Sequence, residues 1–464
     1  MYNNSNFRAT SKKPHVVIVG GGFAGLYAAK ELGNAPVKVT LIDKRNFHLF
    51  QPLLYQVATG SLSPAEICSP LRLIVGRNKN THVVLDEVVD IKPEQNQVIM
   101  REGILNYDHL IIGTGVSHHY FGNEHWEKDA PGLKSIENAL DIRRKIFLAF
   151  EEAEKLSSPQ EKIEWLTFAI VGGGPTGVEL AGAIAEIAHK TIRKDFQEID
   201  TTKARILLIE GMNRILPPYA EDLSYKAQTS LEELGVEVLT NRMVTNIDGN
   251  NLTIRHNDQE ETIRARTILW AAGVKASGLS EVIAERTGVQ RDRAGRIMVE
   301  PDLSIKYHPN IFIVGDLANF SHQGDKPLPG IAPVAMAEGQ YVAKLIQAKA
   351  ENKILETFKY VDKGSLAVIG DNHAVADLGF IKLSGFLAWF VWVFAHVYYL
   401  IEFDNKLVVL LQWGWNYFTR GRGARLITGE ISEKNLVSQS FNNEHYSEYS
   451  VSQKVEQDKE AVKI

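Results

Sequence analysis

Cysteine is almost missing from this chain: Cys68 is the only one among 464 residues. A single thiol excludes an intrachain disulfide framework, a Cys-x-x-Cys redox pair and a cysteine-rich metal site; no bound metal is expected. An excess of basic charge is missing too. With a formal net charge of −5 the chain gives no reason to expect nucleic acid, whose binders usually carry a basic face. The opening residues MYNNSNFRATSKKP contain no apolar h-region, so no secretory leader is expected and the compartment reads as reducing cytoplasm. What remains, 44% hydrophobic and 23% charged residues, suits a globular protein of about two or three domains.

What is present is a glycine pattern used twice. Residues 16–19 are a short, β-branched apolar run, as a buried parallel strand requires. Gly20, Gly22 and Gly25 follow in G-x-G-x-x-G spacing, then a helical-period segment, then a second strand ending in Asp43. Gly20 permits the tight turn, Gly22 lets backbone approach a pyrophosphate, and Gly25 lets helix and strand pack closely. The helix start supplies amide donors to phosphates, and Asp43 is placed to bond a ribose.

The pattern returns at 168–171, with Gly172, Gly174 and Gly177, and an apolar strand 205–209 ending in Glu210. Glu210 lies farther from its glycines than the usual ~20 residues, which we read as a lengthened crossover helix through 186–203. Between the repeats, 81–84 and 98–100 read as a small β-meander. A third apolar run, 267–274, ends in small residues, and 311–314 runs into Gly315 and Asp316 before a helix at 334–350. The expected fold is α/β: two Rossmann-like dinucleotide-binding domains, the second inserted in the first.

At Leu383 the composition shifts. Residues 384–401 are almost wholly apolar or aromatic, and 407–418 carry Trp413, Trp415 and Tyr417 before RGRGAR. A spanning helix, a buried helix pair and an interfacial hairpin all remain open. Aromatic density and the flanking Lys382, Lys406 and Arg420 favour the interface. The tail 430–464 is polar and aperiodic and is expected to be disordered.

These pieces resemble the two-dinucleotide-domain flavoproteins, and within them the type II NADH dehydrogenases. The resemblance rests on NFHLFQPLLYQVATG at 46–60, VGGGPTGVELAG at 171–182, IFIVGDLA at 311–318, KGSLAVIG from 363 and SGFLAWFVWVFAHVYYLI up to 401. It implies an FAD-binding domain from 14–120 and 302–360, an NADH-binding domain at 121–301 and a C-terminal membrane-anchoring region at 361–429. FAD is then expected at Gly20, Gly22, Phe23, Ala24, Gly25, Asp43, Lys44, Thr114, Gly315, Asp316 and Val334. NADH is expected at Gly172, Gly174, Thr176, Gly177, Glu179, Glu210, Ala272 and Gly273.

The reaction implied is hydride transfer from NADH to flavin, then two electrons and two protons to a membrane quinone, without proton pumping. Glu179 is the expected catalytic carboxylate, set between nicotinamide and flavin; otherwise it serves the helix dipole. Lys382 is the second catalytic candidate, against a lysine snorkelling at the membrane edge. His48 reads as a packed, satisfied histidine and Cys68 as a buried or loop thiol. Glu210 is expected to favour NADH over NADPH, with Arg214 near enough to soften the exclusion. Family members often carry Ala-Gln-x-Ala-x-Gln at the quinone site, but here the register places Ala332, Pro333, Val334, Ala335, Met336 and Ala337. Both glutamines are absent. Location is expected to be peripheral, on the cytoplasmic side of the cell membrane, with a homodimer allowed. The alternative is a membrane-attached NADH-dependent redox sensor, or an oxidoreductase with a non-quinone acceptor.

Overall fold

Val16, Val17 and Ile18 are fully buried, as a parallel strand covered on both faces must be. Their strand, His15–Val19, pairs in parallel with Lys38–Asp43 on one side and His109–Ile112 on the other. The computed structural model describes residues 13–419 and 421–428. Those up to Leu426 belong to one compact unit, and the tail 430–464 and Arg420 lie outside the described residues.

The first sheet is completed by Thr81–Leu85 at one edge and by His308–Ile313 and Ser304–Ile305 at the other. It therefore draws strands from both ends of the chain. Thr81–Leu85 is thus a parallel sheet strand, not part of a meander. The Asn80 amide fixes it there by donating to the carbonyls of Leu32, Ala35 and Val37. The meander is built instead from Val88–Lys92, Gln97–Met100 and Ile104–Asn106.

The second sheet holds Val236–Leu239, Arg205–Ile209, Thr167–Val171 and Thr267–Trp270, all parallel. The chain leaves the first sheet through Val116–His118 and returns through Val274–Ala276, and these two segments pair antiparallel. The crossover at 186–203 is not one long helix. Helix Pro175–Glu186 widens into a π turn at Ile187–Thr191, and a short 3-10 turn at Thr201–Lys203 follows. Asp200 caps that turn by accepting from the Thr202 amide at 3.1 Å, after the helix has already ended at Thr191.

Helix Phe23–Glu31 lies against helix Ala332–Ala350, where a Cβ on Gly339 would stand 2.1 Å from the Ala24 carbonyl oxygen. A similar approach positions the C-terminal sheet of Ser365–Gly370, His373–Asp377 and Lys382–Gly385. There a Cβ on Gly182 would stand 1.7 Å from the Ile369 oxygen, so only glycine lets the strand rest on helix Pro175–Glu186.

The apolar run 384–401 divides into the end of a strand and helix Phe386–Tyr399, and a second helix covers Phe403–Thr419. Phe386, Phe390, Phe394 and Tyr398, four residues apart, form one exposed stripe, while Ala388 and Trp392 face inward. Among the described residues no helix is long and apolar enough to cross a membrane.

Candidate active site

Both glycine loops leave the carboxyl end of their first strand, where open α/β sheets bind ligands. Gly20 has φ +104°, and a Cβ there would lie 2.5 Å from the Gly113 oxygen. Gly172 repeats this with φ +111° and a Cβ position 2.7 Å from the Ala271 carbonyl carbon. In each loop the third glycine is forced by backbone: a Cβ on Gly25 or Gly177 would stand 1.8 Å from the oxygen of Gly20 or Gly172. The middle glycines differ, because a Cβ on Gly22 or Gly174 would meet nothing within 4 Å. Both N-cap their helices without any side-chain cap, so first-turn amides face open space. This is the cradle a pyrophosphate needs, and both loops fit a dinucleotide.

The two acids hold their loops in the same manner. Asp43 Oδ2 accepts from the Gly21 amide and Oδ1 from the Arg45 amide, both at 2.6 Å. Glu210 accepts from Gly173 at 2.7 Å and from Met212 at 2.8 Å. Each carboxylate keeps lone pairs for ribose hydroxyls. Burial raises the Asp43 carboxyl, against the pull of those amides and of Arg45 and Lys44. Lys44 itself points outward toward Glu87, 3.8 Å away. Arg214 is engaged with the carbonyls of Pro217 and Tyr219 and the Ser224 hydroxyl.

Around the first loop, the strand ends bring Thr114, Gly315 and Asp316 to the same rim. Thr114 and Ser277 share a hydroxyl hydrogen bond of 2.6 Å. Val334 is buried in the first turn of helix Ala332–Ala350, whose cap residue Ile331 makes no side-chain cap bond. Asp316 is raised by burial and lowered by Lys134 and Arg296, and burial depresses Lys134. Glu338, one helical turn beyond Val334, accepts from the Gly315 amide at 2.5 Å and is pushed up to about 8, chiefly by burial. His48 is buried, its Nδ1 3.0 Å from the Gly21 oxygen, with Phe23 edge-on at 4.9 Å. Its Nε2 has no partner among the described residues, so it is packed but only half satisfied. Burial lowers it to about 4, so the ring is neutral. A buried acceptor nitrogen beside the loop suits a hydroxyl-bearing cofactor such as FAD.

Around the second loop, Thr176 lies in the first turn of helix Pro175–Glu186, and Ala272 and Gly273 follow strand Thr267–Trp270. The same helix presents Glu179, Ala183 and Glu186 along one face to a cleft of about 880 Å³, part of it open to solvent. Opposite stand Tyr55 and Gln56, and the aromatic helices contribute Trp389, Trp392 and Trp413. Glu179 is half-buried at the cleft wall, and desolvation there raises its carboxyl well above the ordinary value against one bond from the Val368 backbone. Glu186 accepts from the Asp371 amide at 2.5 Å and from Arg422 Nη2 at 2.9 Å. Burial dominates at Glu186 also and raises it. Arg422 Nη1 donates to the Thr59 carbonyl, so the ion pair ties the segment after the second aromatic helix across the cleft.

Lys382 lies outside this lining; it is exposed and pairs with Asp222 at 3.2 Å. Cys68 is half-buried and raised to about 12 by burial, so it is an unreactive thiol. Sequence reasoning passed over Tyr55, Gln56, Lys134, Glu186, Glu338 and Arg422. For Glu186 a signal existed, its position seven residues after Glu179 on one helical face; for Arg422, no local signal did.

The family model of the pyridine nucleotide-disulphide oxidoreductases matches residues 14–339, and that of the NDH2 C-terminal domain matches 363–422. A type II NADH:quinone oxidoreductase of Mycobacterium tuberculosis is 42% identical over 428 residues, covering 90% of this chain and 91% of its own. The enzyme of the same name from Staphylococcus haemolyticus is 30% identical, covering 78% and 88%. Among solved structures, NDH2 from Plasmodium falciparum in complex with NADH superposes with a TM-score of 0.82 at 23% identity, covering 90% of this chain and all of that one. The sulfide:quinone oxidoreductase of Aquifex aeolicus shares the fold with a TM-score of 0.67 at 18% identity, covering 91% and 94%.

Proposed function

The chain belongs to the type II NADH:quinone oxidoreductases, and from that premise we propose how its loops, carboxylates and aromatic helices divide the work. The protein is a flavoenzyme that oxidises NADH and reduces quinone. Bound FAD supplies the hydride acceptor and electron-pair donor that side chains cannot provide.

We assign FAD to the first loop, held at Gly20, Gly22, Phe23, Ala24 and Gly25, with Asp43 and Lys44 at the adenosine end. Thr114, Gly315, Asp316 and Val334 hold the flavin end. NADH is assigned to the second loop, at Gly172, Gly174, Thr176, Gly177, Glu210, Ala272 and Gly273. Glu179 follows that loop immediately, and desolvation favours its protonated form, which places a proton donor beside the reacting end of the nucleotide. Lys382, on the surface beside Asp222, is placed to meet the membrane edge. These roles correspond to an FAD domain of 14–120 with 302–360, an NADH domain of 121–301 and a membrane-docking region of 361–429.

The stripe of Phe386, Phe390, Phe394 and Tyr398, with exposed Leu407, Leu411 and Trp415, is the docking face. Its aromatics suit headgroup depth on the cytoplasmic side, where NADH is available. Any pairing of two copies has to leave that face free for lipid.

One observation carries this reading: a carboxylate of the nucleotide-loop helix and the tryptophans of the docking helices line a single cleft. Anaerobic rapid mixing tests it. With NADH the flavin absorbance should bleach, and with a short-chain quinone it should recover within the turnover time. Persistent bleaching with several quinones would reject the assignment of quinone to this cleft.

A further inference from the structure

Trp413, Gln56 and Tyr55 form a hydrogen-bond chain whose direction is fixed by chemistry. An indole N–H can only donate, so Gln56 Oε1, 2.7 Å from Trp413 Nε1, is the acceptor. The Gln56 amide nitrogen is thereby turned toward Tyr55 and donates to the phenolic oxygen at 2.9 Å. A phenol that accepts this bond has its own proton left to give. Among the described residues no acceptor takes it. Tyr55 and Gln56 are nevertheless buried, and both face the cleft that Trp389, Trp392 and Glu179 also line.

A quinone is a flat apolar ring that carries two carbonyl acceptors and no donor. The site it needs has flat apolar walls and at least one buried donor without an acceptor of its own. Here the indole rings of Trp389, Trp392 and Trp413 line the cleft. We infer that the Tyr55 hydroxyl is the hydrogen-bond donor that anchors a quinone carbonyl in this cleft, with Gln56 and Trp413 as the positioning residues that aim it. The inference rests on the quinone reading above. It deepens that reading by naming an anchor away from the family's glutamine positions. Burial, with Glu179 nearby, raises the Tyr55 phenol well above its ordinary range, so the proton stays on oxygen across the working pH.

The test uses FAD-loaded enzyme and a short-chain benzoquinone, in Tyr55→Phe and Trp413→Phe. Tyr55→Phe should weaken quinone binding about three- to tenfold, the worth of one neutral hydrogen bond. Two readouts report it: quinone quenching of tryptophan fluorescence in the oxidised protein, and KM for quinone in turnover. The loss should fall in KM rather than kcat, and in flavin recovery rather than bleaching by NADH. Trp413→Phe frees the amide to turn over and should raise the quinone KM in the same direction by about twofold, which keeps the question answerable if Tyr55→Phe loses FAD. Unchanged quinone affinity in Tyr55→Phe, or an equal loss in both half-reactions, overturns the anchor. Failure of the unaltered enzyme to recover with quinone would instead overturn the quinone assignment itself.

Discussion

The two glycine loops are built alike and backed differently. In both, a third glycine touches the carbonyl of the first, and an acid at the next strand's end accepts from the loop's second residue. Behind the first loop lies a closed helix pair, Ala24 against Gly339, with a neutral histidine and a carboxyl of raised pKa sealed inside. Behind the second lies a cleft whose far wall is supplied by the C-terminal sheet and helices. Construction at the phosphate end therefore says which class of ligand binds. What backs the loop decides whether that ligand is enclosed or can come and go.

The comparison breaks most severely through the buried glycines. Gly25→Val sets a branched side chain on backbone, costs upward of about 3 kcal/mol, and should yield protein without stoichiometric FAD. Gly177→Val makes the same clash in the other loop and should spare the yellow cofactor while abolishing bleaching by NADH. FAD content after gel filtration, paired with the bleaching rate, separates the two. Loss of FAD in both variants would show that the loops are not independent.

The enclosed carboxyl gives a second, smaller handle. Glu338 sits near 8 in the folded chain against an ordinary 4.5, so the native state binds its proton more tightly than the unfolded state does. Stability should therefore fall as pH climbs from about 4.5 to about 8, by up to about 1.4 kcal/mol per unit. Glu338→Gln should flatten that slope in Tm measured from pH 5 to 9 on the FAD-loaded protein. An unaltered slope would assign the dependence to other groups.

Smallest is the effect at the acids' outer face. Glu210→Ser removes an acceptor for the NADH ribose and a repulsion for the phosphate of NADPH. It should narrow the kcat/KM preference for NADH by about tenfold. Arg214 is held by carbonyls and should not collapse the preference further. An unchanged ratio would reduce Glu210 to a loop brace.

The loops, their acids and the nesting of one sheet's segments around the other were legible because each rests on local pattern: a strand, three glycines, a helix and a strand end. Asp43 stood out by its spacing and Glu210 by its place at a strand end, and Gly22 and Gly174 open to space as a phosphate cradle requires. The crossover was misread because polar, helix-like residues continue past the π turn at Ile187–Thr191, where the helix ends. Strand Thr81–Leu85 was misread because its place depends on Asn80 bonding three distant carbonyls. The cleft was the least legible part. Tyr55, Glu186 and Trp413 look ordinary in their own segments, and the wall they form exists only after three remote stretches meet.

That meeting has a consequence for how the enzyme is made. Trp413 reaches Gln56 across 357 residues, Arg422 reaches Thr59 across 363, and Arg422 reaches Glu186 across 236. Contacts so distant in sequence close late, and during synthesis none can form until the last segment has emerged from the ribosome. Both nucleotide-binding sheets can be complete by then. A nascent chain arrested before Trp413 would thus have its glycine loops folded and its electron outlet unbuilt.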